Sequence, residues 1–251
     1  MSNVGSIAQL TQVKLPDGRT VNLADFNHVP IWSTGDFLTG FDDERLELFT
    51  YVAGDPVAST TNISAKRVAT DSDTNVAINN GMASTEDMFV YSIQVEYIEL
   101  GTANGEGDDI TDATTAIPRQ DTNPIPLVQR LAIFQYSMKF ELEVSQKVKF
   151  ESPLAMLSTG FGPVGSPSSM PTIAATPTNA IGNAGLQSNE AVRRLSVPVF
   201  IGQQEKYLAR LRNPTSNAVN FGAILPSWEL QDNSLIRARV IFDGLHKIPV
   251  A

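Results

Sequence analysis

Two long stretches of strict two-residue alternation limit what this chain can fold into more than anything else in it. Phe89, Tyr91, Ile93, Val95 and Tyr97 occupy one parity while Ser92, Gln94 and Glu96 occupy the other. Phe140, Leu142, Val144, Val148 and Phe150 repeat the pattern against Glu141, Glu143, Ser145, Lys147 and Lys149, with Gln146 the single polar residue on the inner parity. A period of two belongs to a strand with one buried face, and not to a helix. Antiparallel sheets with one wet side produce such alternation. Val197, Val199 and Ile201 predict a third strand. Ile236, Ala238, Val240 and Phe242, with Arg237 and Arg239 opposite, predict a fourth that stops at Asp243-Gly244.

Shorter elements fill the frame. Leu15-Pro16-Asp17-Gly18 puts a fixed φ and a permissive glycine between two alternating runs, which predicts a hairpin over Val13 to Leu23. Leu46 to Val52 reads as a strand with Leu46, Leu48 and Val52 on one face, and Phe49 and Tyr51 make its other face apolar as well. Leu127, Leu131, Phe134 and Met138 fall at helical spacing after Asn123 and two prolines, so one short helix is expected. Gln203 to Arg212 fits a helix or a strand, and the alternation of Tyr207, Ala209 and Leu211 favours the strand. Phe89, Tyr91, Ile93, Val95, Phe140, Leu142, Val144 and Val240 are expected to share one core between two sheets.

The intervals are long. Residues 53–87 and 101–126 are rich in Thr, Asn, Asp and Gly, and 158–188 carries no charged residue. Structureless loops beyond about 15 residues are uncommon in compact domains. The uncharged segment also includes Phe161, Val164, Ile173, Ile181 and Leu186, apolar groups suited to lie against a neighbouring subunit. These five residues, with the arm Met1 to Leu15, are the expected intersubunit contacts.

Charge is divided along the chain. Up to Pro126 there are 6 basic and 19 acidic residues, and after it 12 basic and 8 acidic, so the halves carry −13 and +4 and sum to the net −9. Solvated faces of one domain account for such a split; the sharper expectation is an acidic face of one copy meeting a basic face of the next, which steers encounter and register. Arg193, Arg194, Arg210, Arg212, Arg237 and Arg239 form the candidate basic surface, facing a partner copy or nucleic acid.

Recognisable chemistry is scarce. With no cysteine, disulfides, thiol catalysis and thiolate metal sites are excluded. His28 and His246 are the only imidazoles, and each reads as a surface or packing residue before a catalyst. Gly160-Phe161-Gly162-Pro163-Val164-Gly165 matches a dinucleotide fingerprint, but Pro163 removes an amide and no helical run follows to receive pyrophosphate. Glu106, Asp108, Asp109 and Asp112, and Asp42, Asp43, Glu44 and Glu47, are acidic clusters without EF-hand spacing, read as solvated turns before cation sites. Trp32 and Trp228 suit core or interface anchoring better than sugar stacking. No run approaches the roughly 18 apolar residues of a membrane span, and the first ten residues lack a secretory pattern, so a soluble product retained in the cell is expected. No catalytic, cofactor or metal residue is assigned, and no enzyme activity is expected.

The strands Phe89 to Leu100, Lys139 to Glu151 and Leu235 to Phe242, the short helix between the first two, and the Gly/Pro-rich excursion after Pro153 together resemble the jelly-roll major capsid proteins of tailless icosahedral bacterial viruses. The likeness is architectural and carries no motif that transfers a residue. It implies an all-β fold, an antiparallel jelly-roll β-sandwich with long loop insertions and one short helix. About ten to twelve candidate strands fit a single jelly roll with additions better than a compact double one. It implies an arm and hairpin over 1–45 and the sandwich over 46–251. It also implies a coat subunit located in the virion that assembles with itself into a shell, alongside other virion proteins and with genome or an internal membrane at its inner face. The alternatives are a sugar- or receptor-binding module, such as a phage spike or tail protein, and a carboxylate-based hydrolase on the same fold.

Overall fold

The computed structural model describes residues 12–14, 20–22, 26–38, 45–59, 67–101, 117–118, 131–132, 134–157, 164–167, 180–183, 193–214 and 234–247. Its strands are β1 (Gln12–Lys14), β2 (Thr20–Asn22), β3 (Asn27–His28), β4 (Ile31–Leu38), β5 (Arg45–Leu48), β6 (Ala58–Ser59), β7 (Asp87–Gly101), β8 (Ile117–Pro118), β9 (Lys139–Val144), β10 (Lys147–Pro153), β11 (Val164–Pro167), β12 (Ala180–Asn183), β13 (Arg193–Ile201), β14 (Tyr207–Arg212) and β15 (Ser234–Lys247). The all-β class expected from the alternation is what the chain adopts: antiparallel sheets packed as a sandwich, with one small helix.

The smaller sheet has the order β10-β9-β14-β5. The larger runs β11-β12-β7-β15-β4-β6, with β13 and β8 also on β7 and β3 on β15. The pair β1-β2 forms a sheet of its own, with Val13 opposite Val21, in keeping with the hairpin expected there. The inner faces meet in one core: Leu46, Leu48, Phe140, Leu142, Val144 and Leu211 from the small sheet against Ile93, Val95, Ile236, Val240 and Phe242 from the large one. Burying each such side chain contributes about 1.5–3 kcal/mol. Leu131 and Phe134, from the helical turns at 131–132 and 134–137, and Met138 just after them join this core, as their spacing predicted. Strand β14 also follows the alternation, with Tyr207, Ala209 and Leu211 buried.

Several elements depart from the sequence reading, each for a local reason. The run 140–150 is a hairpin and not one strand. Ser145 (φ 51°) and Gln146 (φ 62°) both take left-handed conformations, the geometry of a two-residue turn between β9 and β10. An uninterrupted ladder would then aim Lys149 at the core opposite Leu142. A bulge between Val148 and Phe150 pairs Phe150 with Leu142 instead, and Lys149 stays exposed.

A second bulge governs the large sheet. Strand β15 does not stop at Asp243-Gly244 but continues to Lys247; Asp243 pairs with Ser92 and Gly244 with Val90, leaving Tyr91 as the extra residue. Parity on β7 reverses there. Ile93, Val95 and Tyr97 face the main core on one side of the bulge, and Met88 and Val90 face it on the other. Phe89 is turned to the opposite face, where it packs with Phe26, Phe200 and Leu245, and Tyr91 is 37% exposed. The expected shared core therefore loses Phe89 and Tyr91.

Strand β5 ends at Leu48 and not at Val52, because Phe49 has φ 67° and swings its ring onto Phe242, with centroids 4.4 Å apart and planes 16° from parallel. The boundary expected at residue 45 does not separate arm from sandwich: β4 lies between β15 and β6, and its Ile31 and Phe37 are in the core. The described parts of the interval 53–87 are packed, with Val57 and Ala69 buried against Tyr51, and Val76 and Met82 in the main core. The uncharged interval holds β11 and β12, which extend the large sheet through Asn183 opposite Ile98.

A Cβ on residue 244 would lie 1.8 Å from the Phe89 carbonyl oxygen, and backbone cannot yield as a side-chain tip does. Gly244→Ala is therefore expected to cost about 3 kcal/mol or more in urea denaturation. Val144→Ala should cost about 1–3 kcal/mol, and Tyr91→Ser no more than about 1 kcal/mol.

Candidate functional site

Strand register decides where the arginines go. Arg210 stands directly opposite Glu47 of β5 and Glu141 of β9. Its Nε donates to Glu47 Oε1 at 3.0 Å and its Nη1 to Glu143 Oε2 at 2.6 Å. Burial alone would weaken that charge; the two carboxylates outweigh it and hold the guanidinium protonated. Arg212 Nε donates to Glu141 Oε1 at 2.6 Å. Arg237 faces Asp36 across the β15-β4 ladder and grips both its carboxylate oxygens, at 2.7 and 3.0 Å. Arg239 donates to Thr34 Oγ1 at 3.2 Å and to the Ser72 carbonyl at 2.8 Å. Four of the six residues expected to form a basic surface are thus bound to groups of their own chain. Of their carboxylate partners, Asp36 and Glu47 come from the acidic first half of the chain and Glu141 and Glu143 from the second.

The outer face of β4 carries a further ion pair. Arg67 Nη1 and Nη2 donate to Asp73 Oδ2 and Oδ1 at 2.5 and 2.7 Å, and the Thr70 amide and hydroxyl donate to Asp73 Oδ2 at 2.9 and 2.8 Å. Beside them the Tyr51 hydroxyl donates to the Thr34 carbonyl and accepts from the Thr34 amide. Asn75 ties the same segment to β4, its Oδ1 accepting from the Trp32 amide at 2.8 Å and its Nδ2 donating to the Pro30 carbonyl at 2.9 Å. These contacts clamp the segment 67–76 over the sheet.

Arg193 and Arg194 differ from the other four. Both are exposed at the start of β13, and among the described residues neither has an ion-pair partner. Strand β13 pairs with β7 on one side, and among the described strands its other side is open. Between Arg194 opposite Ser92 and Val199 opposite Val90, four residues of β13 face the single residue Tyr91. Val197 stands in that bulge at 78% exposure. Farther along the same edge of β7, the Val95 amide donates to the Leu157 carbonyl at 2.9 Å. This seats the 3-10 turn Leu154–Met156 there, with Met156 at 51% exposure. The Gln135 amide reaches the Ala155 carbonyl, and its neighbour Tyr136 is 77% exposed. Tyr91, Val197 and Met156 are thus exposed on β7 or on segments hydrogen-bonded to its side away from β15, where the unpaired Arg193 and Arg194 also stand, and Tyr136 is exposed on the turn tied to Ala155. Sequence reasoning missed this edge. Pro198 was the available signal, since a proline inside an alternating run marks an edge strand.

The other expected sites resolve unevenly. Phe161, Ile173 and Leu186 lie outside the described residues; Val164 and Ile181 fall in β11 and β12, whose side chains are likewise outside the description. The dinucleotide-like glycine run leads into strand β11. Trp228, most of the arm Met1 to Leu15 and the acidic cluster at 106–112 also fall outside, while Glu47 of the other cluster is paired with Arg210. His28 Nε2 lies 2.8 Å from Asp243 Oδ1 at the surface, and His246 Nε2 lies 3.5 Å from Glu86 Oε2 inside. Among the described residues no three His, Asp or Glu side chains converge as a metal site would require, and no helix is long and apolar enough to cross a membrane. Compared with protein-family models, curated proteins and solved structures, the chain matches none.

The clamp has a pH signature. Burial raises the Asp73 carboxyl, but Arg67 and the two Thr70 donors outweigh it and hold the group at about 2, below its ordinary 3.8. A carboxyl lowered by folding stabilises the fold above its unfolded value and loses that contribution as pH falls through its folded one. Stability should therefore decline between about pH 4 and 2. Asp73→Asn should flatten that decline in acid titrations followed by circular dichroism and cost about 2 kcal/mol at neutral pH.

Proposed function

We propose that this chain is a structural coat subunit, a jelly-roll sandwich that self-associates into an icosahedral shell, with a second copy of itself as its principal partner. The observation that carries the reading is the edge of β7 and β13, where Tyr91, Val197, Met156 and Tyr136 are exposed beside Arg193 and Arg194. Exposed apolar groups gathered at one place, rimmed by charge, are characteristic of association surfaces. The bulge and Pro198 deny this edge a regular ladder, so the contact is made by side chains and not by strand addition. Pairing of most arginines within the chain supports the same assignment. On this edge Arg193 and Arg194 stand as cations able to meet the acidic surface of a neighbour, in a chain of net −9.

Light scattering and electron microscopy of the purified chain test the reading. Discrete capsomers or shells are expected, forming more slowly as salt screens the charges. Val197→Asp with Met156→Asp should keep the circular dichroism spectrum and leave a monomer. A wild-type chain that stays monomeric at high concentration and binds glycans would replace this reading with the sugar- or receptor-binding module.

A further inference from the structure

A cavity of about 180 Å³ lies where the starts of β4 and β14 and the end of β15 meet the segment 75–86. Ile31, Val76 and Met82 give it apolar walls, Glu86, Tyr207 and His246 supply its polar groups together with Asn75, whose amide is already engaged with Trp32 and Pro30, and it reaches the surface beside the exposed Ala77. His246 is only 7% exposed, and neither of its ring nitrogens has a hydrogen-bond partner. At 3.5 Å the Glu86 carboxylate is near but too far for a good hydrogen bond. A buried polar group left unpaired is costly and rare in folded proteins, and it points to an occupant that completes it.

The chemistry of the lining selects that occupant. Burial lowers the His246 pKa more than Glu86 raises it, so the ring is neutral near pH 7, with one acceptor nitrogen and one donor. Burial, with Glu86 nearby, pushes the Tyr207 hydroxyl upward and keeps it protonated. Glu86 then gives the cavity a negative charge and acceptors in excess of donors. An anion is repelled, a wholly apolar guest leaves the imidazole unpaired, and a metal ion finds no third ligand among the described residues. We propose that this cavity binds a small primary ammonium with a short apolar stem. Its N–H groups are shared among the Glu86 carboxylate, the free imidazole nitrogen of His246 and the Tyr207 oxygen, and its stem lies against Ile31, Val76 and Met82. A dry cavity of about 150 Å³ admits benzene, so the guest has roughly five to seven non-hydrogen atoms. The site is separate from the assembly edge and does not rest on it.

With only two histidines in the chain, proton NMR of the imidazole C–H signals reads the site directly. Titration with n-butylammonium should shift the His246 signals saturably, with a Kd on the order of 1 mM or tighter, and leave those of His28 in place. Neutral n-butanol and anionic butyrate should bind at least about tenfold more weakly, since they lack the charge-assisted contact to Glu86. Glu86→Gln, with its fold checked by circular dichroism, should weaken the amine by at least about tenfold. The proposal is overturned if His246 gives no saturable shift up to tens of millimolar amine, about ten times the expected Kd, which would mean that water alone fills the cavity. Equal binding of butanol and butylammonium by the wild-type protein overturns it as well, whatever the behaviour of the variant.

Discussion

Pairing of β7 with β15 is the interaction on which the rest of the sandwich depends. These two strands run together from Ser234 opposite Gly101 to Lys247 opposite Asp87, broken only at the bulge. Strand β4 hangs on the far side of β15, and β13, β12 and β8 hang on the far side of β7. Closeness at the bulge is possible only because residue 244 has no Cβ. A one-residue slip inverts every side chain beyond it. Here the slip is built in, so that Met88 and Val90 reach the main core while Phe89 is freed to pack under Phe26 and Phe200. The same irregularity leaves Tyr91 outside and meets the bulge of β13, so a packing solution at the centre of the sheet creates the surface feature at its edge.

Electrostatics then serves cohesion before recognition. On the small sheet, Arg210 bridges Glu47 and Glu143 from the strands on either side of it, and Arg212 takes Glu141. Pairs that retain solvent access add little individually, about 0–1 kcal/mol. Their value lies in register, because like charges placed opposite one another would be penalised. Asp36 is different: its carboxylate is buried and held by both arms of Arg237, and removing either partner would strand a charge in the protein interior. Among the described residues, Arg210, Arg212, Arg237 and Arg239 are therefore held by groups of their own chain and do not form a free basic face.

Class, several of the strands and the short helix were legible because they follow from periodicity, which one chain carries by itself, whereas β4 was not, since Ile31 to Leu38 does not alternate. The alternation at 89–97, 140–144, 207–211 and 236–242, the spacing of Leu131, Phe134 and Met138, and the Pro-Asp-Gly turn each specify an element without reference to a partner. What periodicity cannot convey is an interruption that preserves it. Across Ser145-Gln146 the same parity describes one long strand or two joined by a turn, and only the bulge at Lys149 brings Phe150 to the core in the folded form. The reversal at Tyr91 is equally silent, since Val90 and Tyr91 are both apolar and each suits burial. Charge followed the same rule: the sequence set how many arginines and carboxylates there are and in which half they lie, but whether Arg237 faces Asp36 or a neighbouring subunit depends on which strands become adjacent. Adjacency is a property of pairings between residues as distant as Asp36 and Arg237, and the tertiary structure decides it because the cost and gain of those pairings are realised only when both sheets close on a common core.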